Sequence, residues 1–325
     1  MIEVIRYCNA RRFLWDEFLP NSKNSTFLFY RNFMDYHSDR FRDFSILVLE
    51  DGKLKSILPA NLDLEGNLHS HQGLTYGGFV FNKNERLNNE LKYIYKSLKY
   101  LSSNNINVVF YKSFPKLYSS IGVDSIDYSF FYLKAILARR DLSLAINFKD
   151  RLDLQKRRVR SIKKANNARI QIVEARSLTD FWSQILEPNL KKRFETKPVH
   201  TIEEITSLKA KFPKNIRQFN AYLNNRILAG TTIFETSNVA HAQYISASDE
   251  GRKLGAIDLL FYELIKAEFN DKLFFDFGIC NDKQGKKINF GLLDWKEGFG
   301  GRSYSHDFYK IKTSNFNLLE NQIKW

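Results

Sequence analysis

The chain has 325 residues, of which 43% are hydrophobic, and its 28 phenylalanines and 16 tyrosines indicate a well-packed globular protein with two domains. The formal net charge of +14 points to an anionic partner. Two cysteines, Cys8 and Cys280, give neither a disulfide framework nor a metal-ligand spacing. The first residues are charged where a signal peptide needs an apolar core, and no stretch reads as a membrane span, so we expect a cytoplasmic protein.

The first half of the chain predicts an early helix, a hairpin, a helix and a buried strand. The early helix lies around residues 10–18, and Asp51-Gly52 is a strong turn signal between the apolar runs 45–49 and 54–58. The segment 66–81, GNLHSHQGLTYGGFVF, then brings His69 and His71 together with three glycines. Apolar residues between 87 and 101 recur at helical spacing, and residues 108–111 form a short apolar run typical of a buried strand.

A basic stretch follows at 149–169, where nine basic residues stand against two acidic ones. A solvated basic helix that joins two domains is one interpretation. A positive wall facing an anionic small molecule, such as CoA or a sugar nucleotide, is a second. Polynucleotide binding is a third, although the stretch lacks the aromatic residues that stack on single-stranded bases.

The second half repeats the order of the first. Asn224-Asn225 separates the apolar runs 217–223 and 227–234, as a hairpin turn does. A strand at 239–246 carries His241, a polar turn is predicted at 249–253, a helix starts at Ala256, and a strand covers 273–279. The shared order of hairpin, histidine-bearing strand, glycine segment, helix and strand predicts a duplicated α+β unit.

The loop before Ala256 is the first candidate binding site. A helix start presents unpaired N–H groups and the positive end of the helix dipole, which suits a phosphate, and Gly255 would let the backbone approach one. A tight turn in an ordinary βαβ unit is the alternative interpretation. The glycine pattern of a Rossmann site is not laid out here, and a Walker loop is absent.

Five motifs together resemble the FemABX-like branch of the GNAT acyltransferase superfamily. They are SHQGLTYGG at 70–78, KPVH at 197–200, HAQYISAS at 241–248, FDFG at 275–278 and LDWKEGFGGR at 293–302. The resemblance covers nearly the whole chain and implies an α+β fold of two tandem GNAT-like domains, each a mixed sheet flanked by helices. We therefore expect an N-terminal domain at 1–148, a basic linker helix at 149–169 and an acyl-CoA-binding domain at 170–325.

The same resemblance implies an acyl-CoA-dependent N-acyltransferase that uses no metal. Similarity to N-acyltransferases of bacterial surface-polysaccharide pathways implies a short acyl group, acetyl or a hydroxyacyl such as 3-hydroxybutanoyl. The acceptor would be the amino group of a dTDP- or UDP-linked deoxyamino sugar, without specific nucleic-acid binding. Two alternatives stay open: an aminoacyl-tRNA-dependent Fem-type transferase acting on a peptidoglycan precursor, and a non-catalytic basic binding module. The sequence does not give the oligomeric state.

The reaction needs a base, because the attacking amine must lose a proton, and a histidine suits that role. His241 begins the strand that leads to the presumed CoA loop, and GNAT enzymes often take the base from that strand. Asp276 lies among phenylalanines, so it is either a structural ion pair or a site residue with a raised pKa, and it could itself be the base. We expect Gln243, two residues after His241, to share its strand face.

The remaining candidates divide between the two substrates. For acyl-CoA the resemblance points to Ser246, Arg252, Lys253, Gly255 and Ala256, where Arg252 and Gly255 match the GNAT pyrophosphate-loop pattern and Ile257 departs from it. For the acceptor the candidates are His71, Tyr76, His200, Gln243, Asn289, Lys296 and Arg302.

Overall fold

The computed structural model describes residues 1–325, apart from the side chain of Phe194. By internal contacts the chain forms two compact units. Unit 1 comprises Met1–Asp141 and Ser305–Trp325, and unit 2 comprises Leu142–Tyr304. Relative to the predicted domains 1–148 and 170–325, residues 305–325 belong to unit 1, and the basic helix of the predicted linker belongs to unit 2.

Unit 1 contains eight complete strands, four α-helices and part of two longer strands. The strands are β1 (Ile2–Arg6), β2 (Arg42–Asp43), β3 (Ile46–Glu50), β4 (Lys53–Leu58), β5 (Asn61–Leu62), β6 (Leu68–His69), β7 (Val80–Phe81) and β8 (Val108–Lys112). The helices are α1 (Arg12–Phe18), α2 (Arg31–Met34), α3 (Leu87–Ser103) and α4 (Ser125–Tyr132). Strand β9 (Ile136–Asn147) continues from unit 1 into unit 2.

Unit 2 contains the remaining elements. Its helices are α5 (Lys156–Asn167), α6 (Thr179–Phe181), α7 (Glu187–Phe194), α8 (Ile202–Lys211), α9 (Asp249–Leu254), α10 (Ala256–Glu263) and α11 (Phe290–Glu297), with π-helical turns at Trp182–Leu186 and Leu264–Glu268. Its strands are β10 (Gln171–Ala175), β11 (Ile216–Leu223), β12 (Arg226–Glu235), β13 (Val239–Ala247), β14 (Phe274–Ile279), β15 (Asn281–Asp282) and β16 (Lys287–Ile288). Strand β17 (Arg302–Lys312) leads back into unit 1.

Short 3₁₀ turns connect many of these elements. They lie at Asn9–Arg11, Leu19–Asn21, Phe27–Phe29, Asp35–His37, Lys116–Tyr118, Phe148–Asp150 and Thr313–Gln322.

Each unit has its own mixed β-structure. In unit 1, β1, β3, β4 and β7 pair antiparallel in that order, while β2, β5 and β6 form an antiparallel set whose last strand pairs parallel with β8. In unit 2 the order is β10-β11-β12-β13-β14-β9, in which only the β13–β14 pair is parallel. Strand β15 pairs only with β16.

Both predicted hairpins are confirmed. Asp51 and Gly52 adopt φ values of 49° and 75° between β3 and β4, and Asn224 and Asn225 adopt 49° and 61° between β11 and β12. Two consecutive residues with positive φ match the right-handed twist of the flanking strands, which is why Asx and Gly residues predict such turns. The helical spacing between 87 and 101 is confirmed by α3, whose buried face packs into the core of unit 1.

The core of unit 2 lies between the sheet and helices α5 and α10. Ile162 and Ala165 of α5 are buried in the same cluster as Leu260 and Phe261 of α10 and Phe275 of β14. The basic helix therefore packs on the core of unit 2 through Ile162 and Ala165 and belongs to that unit, not to a linker, while its opposite face is exposed. Within the described part of the chain, no helix is both long and apolar enough to cross a membrane.

Candidate functional site

The two parallel strands of unit 2 pair over only three residues. The register joins Val239 to Phe274, Ala240 to Phe275 and His241 to Asp276, and among the described residues the pairing ends there. Strand β13 continues to Ala247, while the pairing of β14 with β9 shifts after Asp276. The strands therefore part beyond His241, and this side of β13 keeps backbone groups that an extended ligand could bond.

A β-bulge lies just beyond this point. Ala242 pairs with Ile233 and Tyr244 with Thr232, so Gln243 is an extra residue on β13. Before the bulge the even-numbered residues Ala240 and Ala242 are buried in the core cluster of unit 2. After the bulge the odd-numbered Ala247 is buried there. The bulge interrupts the alternation of side chains between the two faces of β13, on which the expected position of Gln243 beside His241 depended. A bulge also changes the direction of the local backbone N–H groups.

His241 and Asp276 form a hydrogen-bonded pair at the last paired register. The distance from His241 Nδ1 to Asp276 Oδ2 is 2.9 Å. The other carboxylate oxygen accepts from the Ser143 hydroxyl at 2.5 Å and from the Gly278 N–H at 2.8 Å. Asp276 is 3% exposed. This carboxylate has several hydrogen-bond partners, as a buried charge requires.

These contacts determine the charge state of Asp276. Burial raises its pKa, but the neighbouring His241 and the hydrogen bonds from Ser143 and Gly278 outweigh burial and hold the pKa well below its ordinary value. The raised pKa considered for this residue from the sequence is therefore wrong, and Asp276 stays ionised at neutral pH. An ionised carboxylate at Nδ1 favours the tautomer with its proton there, which leaves the lone pair of the neutral ring on Nε2.

Lys296 lies beside this pair and is buried, with 2% exposure. Its Nζ donates to the carbonyl oxygens of Gly278 at 2.8 Å and Ile279 at 2.6 Å. Burial lowers its pKa to about 8, and the charge of Asp276 opposes that shift. Lys296 is therefore enclosed and bonded to the end of β14, and its acceptor-binding role stays a prediction.

His200 and Tyr244 form a second buried pair, farther along β13. His200 Nδ1 lies 2.6 Å from the Tyr244 hydroxyl oxygen, which also accepts the backbone N–H of His200 at 3.3 Å. The capping box of Thr201 and Glu204 begins α8 immediately after His200 and fixes its position. Trp182, the first residue of a π-helical turn, packs edge-on against Tyr244 with ring centroids 4.8 Å apart.

The predicted pyrophosphate loop has a different structure from the expected one. Residues 249–254 form α9, which Ser248 caps by accepting the Gly251 N–H, so the predicted polar turn is wrong. The first turn of α9 carries Asp249 and Glu250, and acidic side chains at a helix start oppose phosphate binding. The guanidinium of Arg252 bonds to Asp249 Oδ1 at 2.6 Å and to the carbonyl oxygen of Ala247.

Gly255 is covered by α5. A Cβ atom at Gly255 would lie 2.4 Å from the carbonyl oxygen of Ser161, and the residue has a φ of 78°. Ala256, at the start of α10, has 0% exposure. The start of α10 is therefore packed against a neighbouring helix at Gly255, which leaves less room there than an open phosphate-binding loop would have, and the binding roles of Gly255 and Ala256 stay predictions. Glycine at position 255 is explained by the close approach of α5 to the start of α10.

The other predicted residues are spread over both units. Asn289 caps α11 by accepting the Leu292 N–H at 3.1 Å, and the Arg302 guanidinium bonds to the Gly301 carbonyl. The Ser246 hydroxyl accepts from Asn189 at 2.8 Å, and Lys253 is exposed. Their binding roles stay predictions.

The two unit 1 candidates are buried. Tyr76 donates to Thr26 at 2.9 Å within an aromatic cluster. His71 stacks on His37 with ring centroids 5.0 Å apart and has a φ of 70°. Their substrate roles also stay predictions. The described residues contain no group of three or more side chains that could hold a metal ion.

Sequence reasoning missed Ser143, Gly278, Tyr244 and Trp182. Ser143 comes from β9, more than a hundred residues before Asp276, and no local pattern links the two. Gly278 lies in the FDFG motif and Tyr244 in the HAQYISAS motif, so membership of these motifs could have indicated both residues.

Comparison with known proteins gives the fold. No family model matches the chain, and no curated protein matches it in sequence. The crystal structure of FemX superposes with a TM-score of 0.66 at 12% identity, covering 98% of this chain and 100% of that chain. A conserved protein of unknown function from Bacteroides thetaiotaomicron VPI-5482 gives a TM-score of 0.62 at 12% identity, with 96% and 100% covered.

A third structure shows the tandem arrangement. The tandem GNAT protein from the clavulanic acid biosynthesis pathway superposes with a TM-score of 0.53 at 8% identity, covering 96% of this chain and 99% of that chain. At these identities the likeness is one of fold. The chain therefore has the fold of FemX and of the tandem GNAT proteins, which confirms the predicted α+β class with two GNAT-like units.

Proposed function

We propose that the chain is an N-acyltransferase that moves a short acyl group from a thioester to the amino group of an acceptor. The observation that carries this proposal is the buried His241–Asp276 pair at the point where β13 and β14 part. A histidine oriented by an ionised carboxylate is the arrangement that general-base catalysis needs. The fold shared with the tandem GNAT protein is consistent with that chemistry.

The reaction balances with the residues in this site. Nε2 of His241 takes a proton from the attacking amine, and the amine nitrogen forms a bond to the thioester carbonyl carbon. A backbone N–H at the Gln243 bulge donates to the oxyanion that develops. The carbon–sulfur bond then breaks, and the departing thiolate receives the proton that Nε2 of His241 took from the amine, so an amide, a free thiol and the neutral histidine are the products.

Lys296 supports this chemistry by its charge. Its ammonium donates to the carbonyl oxygens of Gly278 and Ile279, at the end of β14 shortly after Asp276, and so fixes the strand that carries the carboxylate. A cation near developing negative charge also lowers the energy of the transition state. Lys296 therefore acts as a positioning residue for Asp276 in this proposal.

For the acceptor we propose the amino group of a dTDP- or UDP-linked deoxyamino sugar, with acetyl or 3-hydroxybutanoyl as the acyl group. The similarity of the sequence motifs to surface-polysaccharide N-acyltransferases supports this choice. The net charge of +14 supports an anionic substrate such as a nucleotide diphosphate.

A thiol-release assay tests the function. Acetyl-CoA and 3-hydroxybutanoyl-CoA are each incubated with a panel of dTDP- and UDP-linked amino sugars, and free thiol is followed over time. We expect acceptor-dependent thiol release that His241→Ala slows about a hundredfold or more. A parallel experiment supplies aminoacyl-tRNA with a peptidoglycan precursor. Product in that experiment alone would refute the proposed acceptor and identify a Fem-type transferase. Ligand binding without thiol release or aminoacyl transfer would identify a binding module.

A further inference from the structure

Helix α5 divides its cations into two groups. Three of them have partners in unit 2: Arg158 forms an ion pair with Asp258 at 2.7 Å, Arg157 pairs with Asp294, and Lys164 Nζ donates to the Lys253 carbonyl oxygen at 2.7 Å. On the outer side Lys156, Arg160 and Lys163 follow the spacing i, i+4, i+7 and are exposed. These three side chains form no hydrogen bond or ion pair with any described residue. We call Lys156, Val159, Arg160 and Lys163 the outer face of α5.

The outer face is apolar as well as basic. Val159 is 50% exposed and Leu152, just before the helix, is 40% exposed. Both line a cleft of about 590 Å³ together with two cations, Arg151 and Lys266, one carboxylate, Asp153, and the side chains of Leu154 and Tyr262. Two exposed aliphatic side chains beside a row of cations give a surface on which a protein partner can make apolar and ionic contacts together.

This mixture favours an acidic protein helix over a polynucleotide. Phosphate contacts need cations alone, and single-stranded bases need aromatic platforms, of which the cleft offers only Tyr262. An amphipathic acidic helix would pair its carboxylates with Lys156, Arg160 and Lys163 and would cover Val159 and Leu152 with aliphatic side chains. Charge and apolar area are then satisfied by one partner.

The covered pyrophosphate loop points to the identity of that partner. Ser161, on α5 itself, lies over Gly255 and crowds the start of α10, where the sequence placed the phosphates of CoA. A thioester can also be carried on the pantetheine arm of an acidic carrier protein, which needs a basic docking surface and no pyrophosphate loop. We propose that the outer face of α5 docks an acidic acyl carrier protein that delivers the acyl thioester, an inference that rests on the proposed function.

The test measures docking and turnover separately, with the full-length chain. The probe is a purified acyl carrier protein that bears an acetyl-phosphopantetheine arm, titrated calorimetrically at low and at physiological salt. We expect binding that weakens with salt, and we expect the triple variant Lys156→Glu, Arg160→Glu, Lys163→Glu to lose at least about tenfold in affinity. Val159→Asp should weaken binding as well, because it removes the aliphatic contact.

A matched variant controls for total charge. Lys53, Lys83 and Lys214 are exposed and lie outside α5, so their joint change to Glu alters the net charge equally. This control should bind within about twofold of the wild type, since only the outer face contacts the partner. Equal weakening in both triple variants would overturn the proposal, because it would show attraction to total charge alone.

Two further outcomes would overturn the proposal. Absence of carrier-protein binding up to ~1 mM, a free energy of about −4 kcal/mol, would contradict it even if acetyl-CoA supports turnover, and the proposed function would then stand alone. Binding of tRNA that the α5 triple variant weakens, without carrier-protein binding, would assign the face to a polynucleotide. Specific docking without any acyl transfer would retain the docking surface and refute the proposed function.

Discussion

Replacement of Lys296 by methionine tests the electrostatics of the site. Methionine fills a similar volume without charge, so the variant keeps the packing of α11. Burial lowers the pKa of Lys296 from 10.5 to about 8, a difference that corresponds to about 3 kcal/mol of unfavourable interaction for the charged form in the folded state. Loss of its hydrogen bonds leaves two carbonyl oxygens without this donor, which costs about 1–3 kcal/mol.

The lowered pKa of Lys296 determines whether the free energy of unfolding rises or falls with pH. Between pH 8 and 10.5 the unfolded chain keeps the proton of Lys296 while the folded chain has released it, so the unfolded state binds more protons and the free energy of unfolding rises with pH. Below pH 8 both states are protonated, so the free energy of unfolding does not change with the titration of Lys296, and the full cost of burying its charge is present. We therefore expect the wild type to gain up to about 3 kcal/mol relative to Lys296→Met between these pH values.

Urea denaturation at several pH values between 7 and 10, followed by tryptophan fluorescence, measures this difference. Lys286→Met is the matched control, since Lys286 is an exposed lysine of the same unit. The control and the wild type should give parallel curves. If Lys296→Met also runs parallel to the wild type throughout, Lys296 is not desolvated and this account of the site is wrong.

Three further predictions concern Gly255, Asp276 and the basic stretch at 149–169. Gly255→Val should lower the free energy of unfolding by about 2 kcal/mol or more, because a branched side chain at positive φ would meet the Ser161 carbonyl, while the thioester affinity of the folded variant should stay unchanged; calorimetry separates the two effects. Asp276→Asn should slow turnover about tenfold or more, as steady-state kinetics of the folded variant would show, because His241 then lacks the carboxylate that holds its Nδ1 proton and orients the ring. Duplex DNA should bind without the roughly thousandfold sequence discrimination of a specific DNA-binding protein, as competition with random sequence at physiological salt would show.

Local patterns predicted much of the fold. The turn residues at 51–52 and 224–225 and the apolar period between 87 and 101 lie within a few residues of the contacts they form, and the structure confirms these elements. The basic stretch was also correctly identified as helical. The sequence did not predict that this helix packs on a core, because the residues that Ile162 and Ala165 contact there come from elements distant in sequence.

The candidate site was predicted in part. His241 and Asp276 were singled out separately, and the structure brings them within hydrogen-bonding distance through the pairing of β13 with β14. Long-range features escaped prediction. The bulge at Gln243, the hydroxyl of Ser143 and the helix over Gly255 each depend on elements distant in sequence, so neither spacing nor motif could indicate them.

The most direct test of the central claim is the pH dependence of kcat for the wild type and His241→Ala, with the best acceptor from the thiol-release panel. The wild type should show an acidic limb that rises as the imidazole loses its proton, and the variant should lose that limb and about a hundredfold or more in turnover. His69→Ala is the control, since His69 also contacts a carboxylate, that of Asp63 at 2.8 Å, but lies in unit 1. It should keep the wild-type profile. A folded His241→Ala variant with near-normal turnover and an unchanged acidic limb would contradict the assignment of His241 as the base.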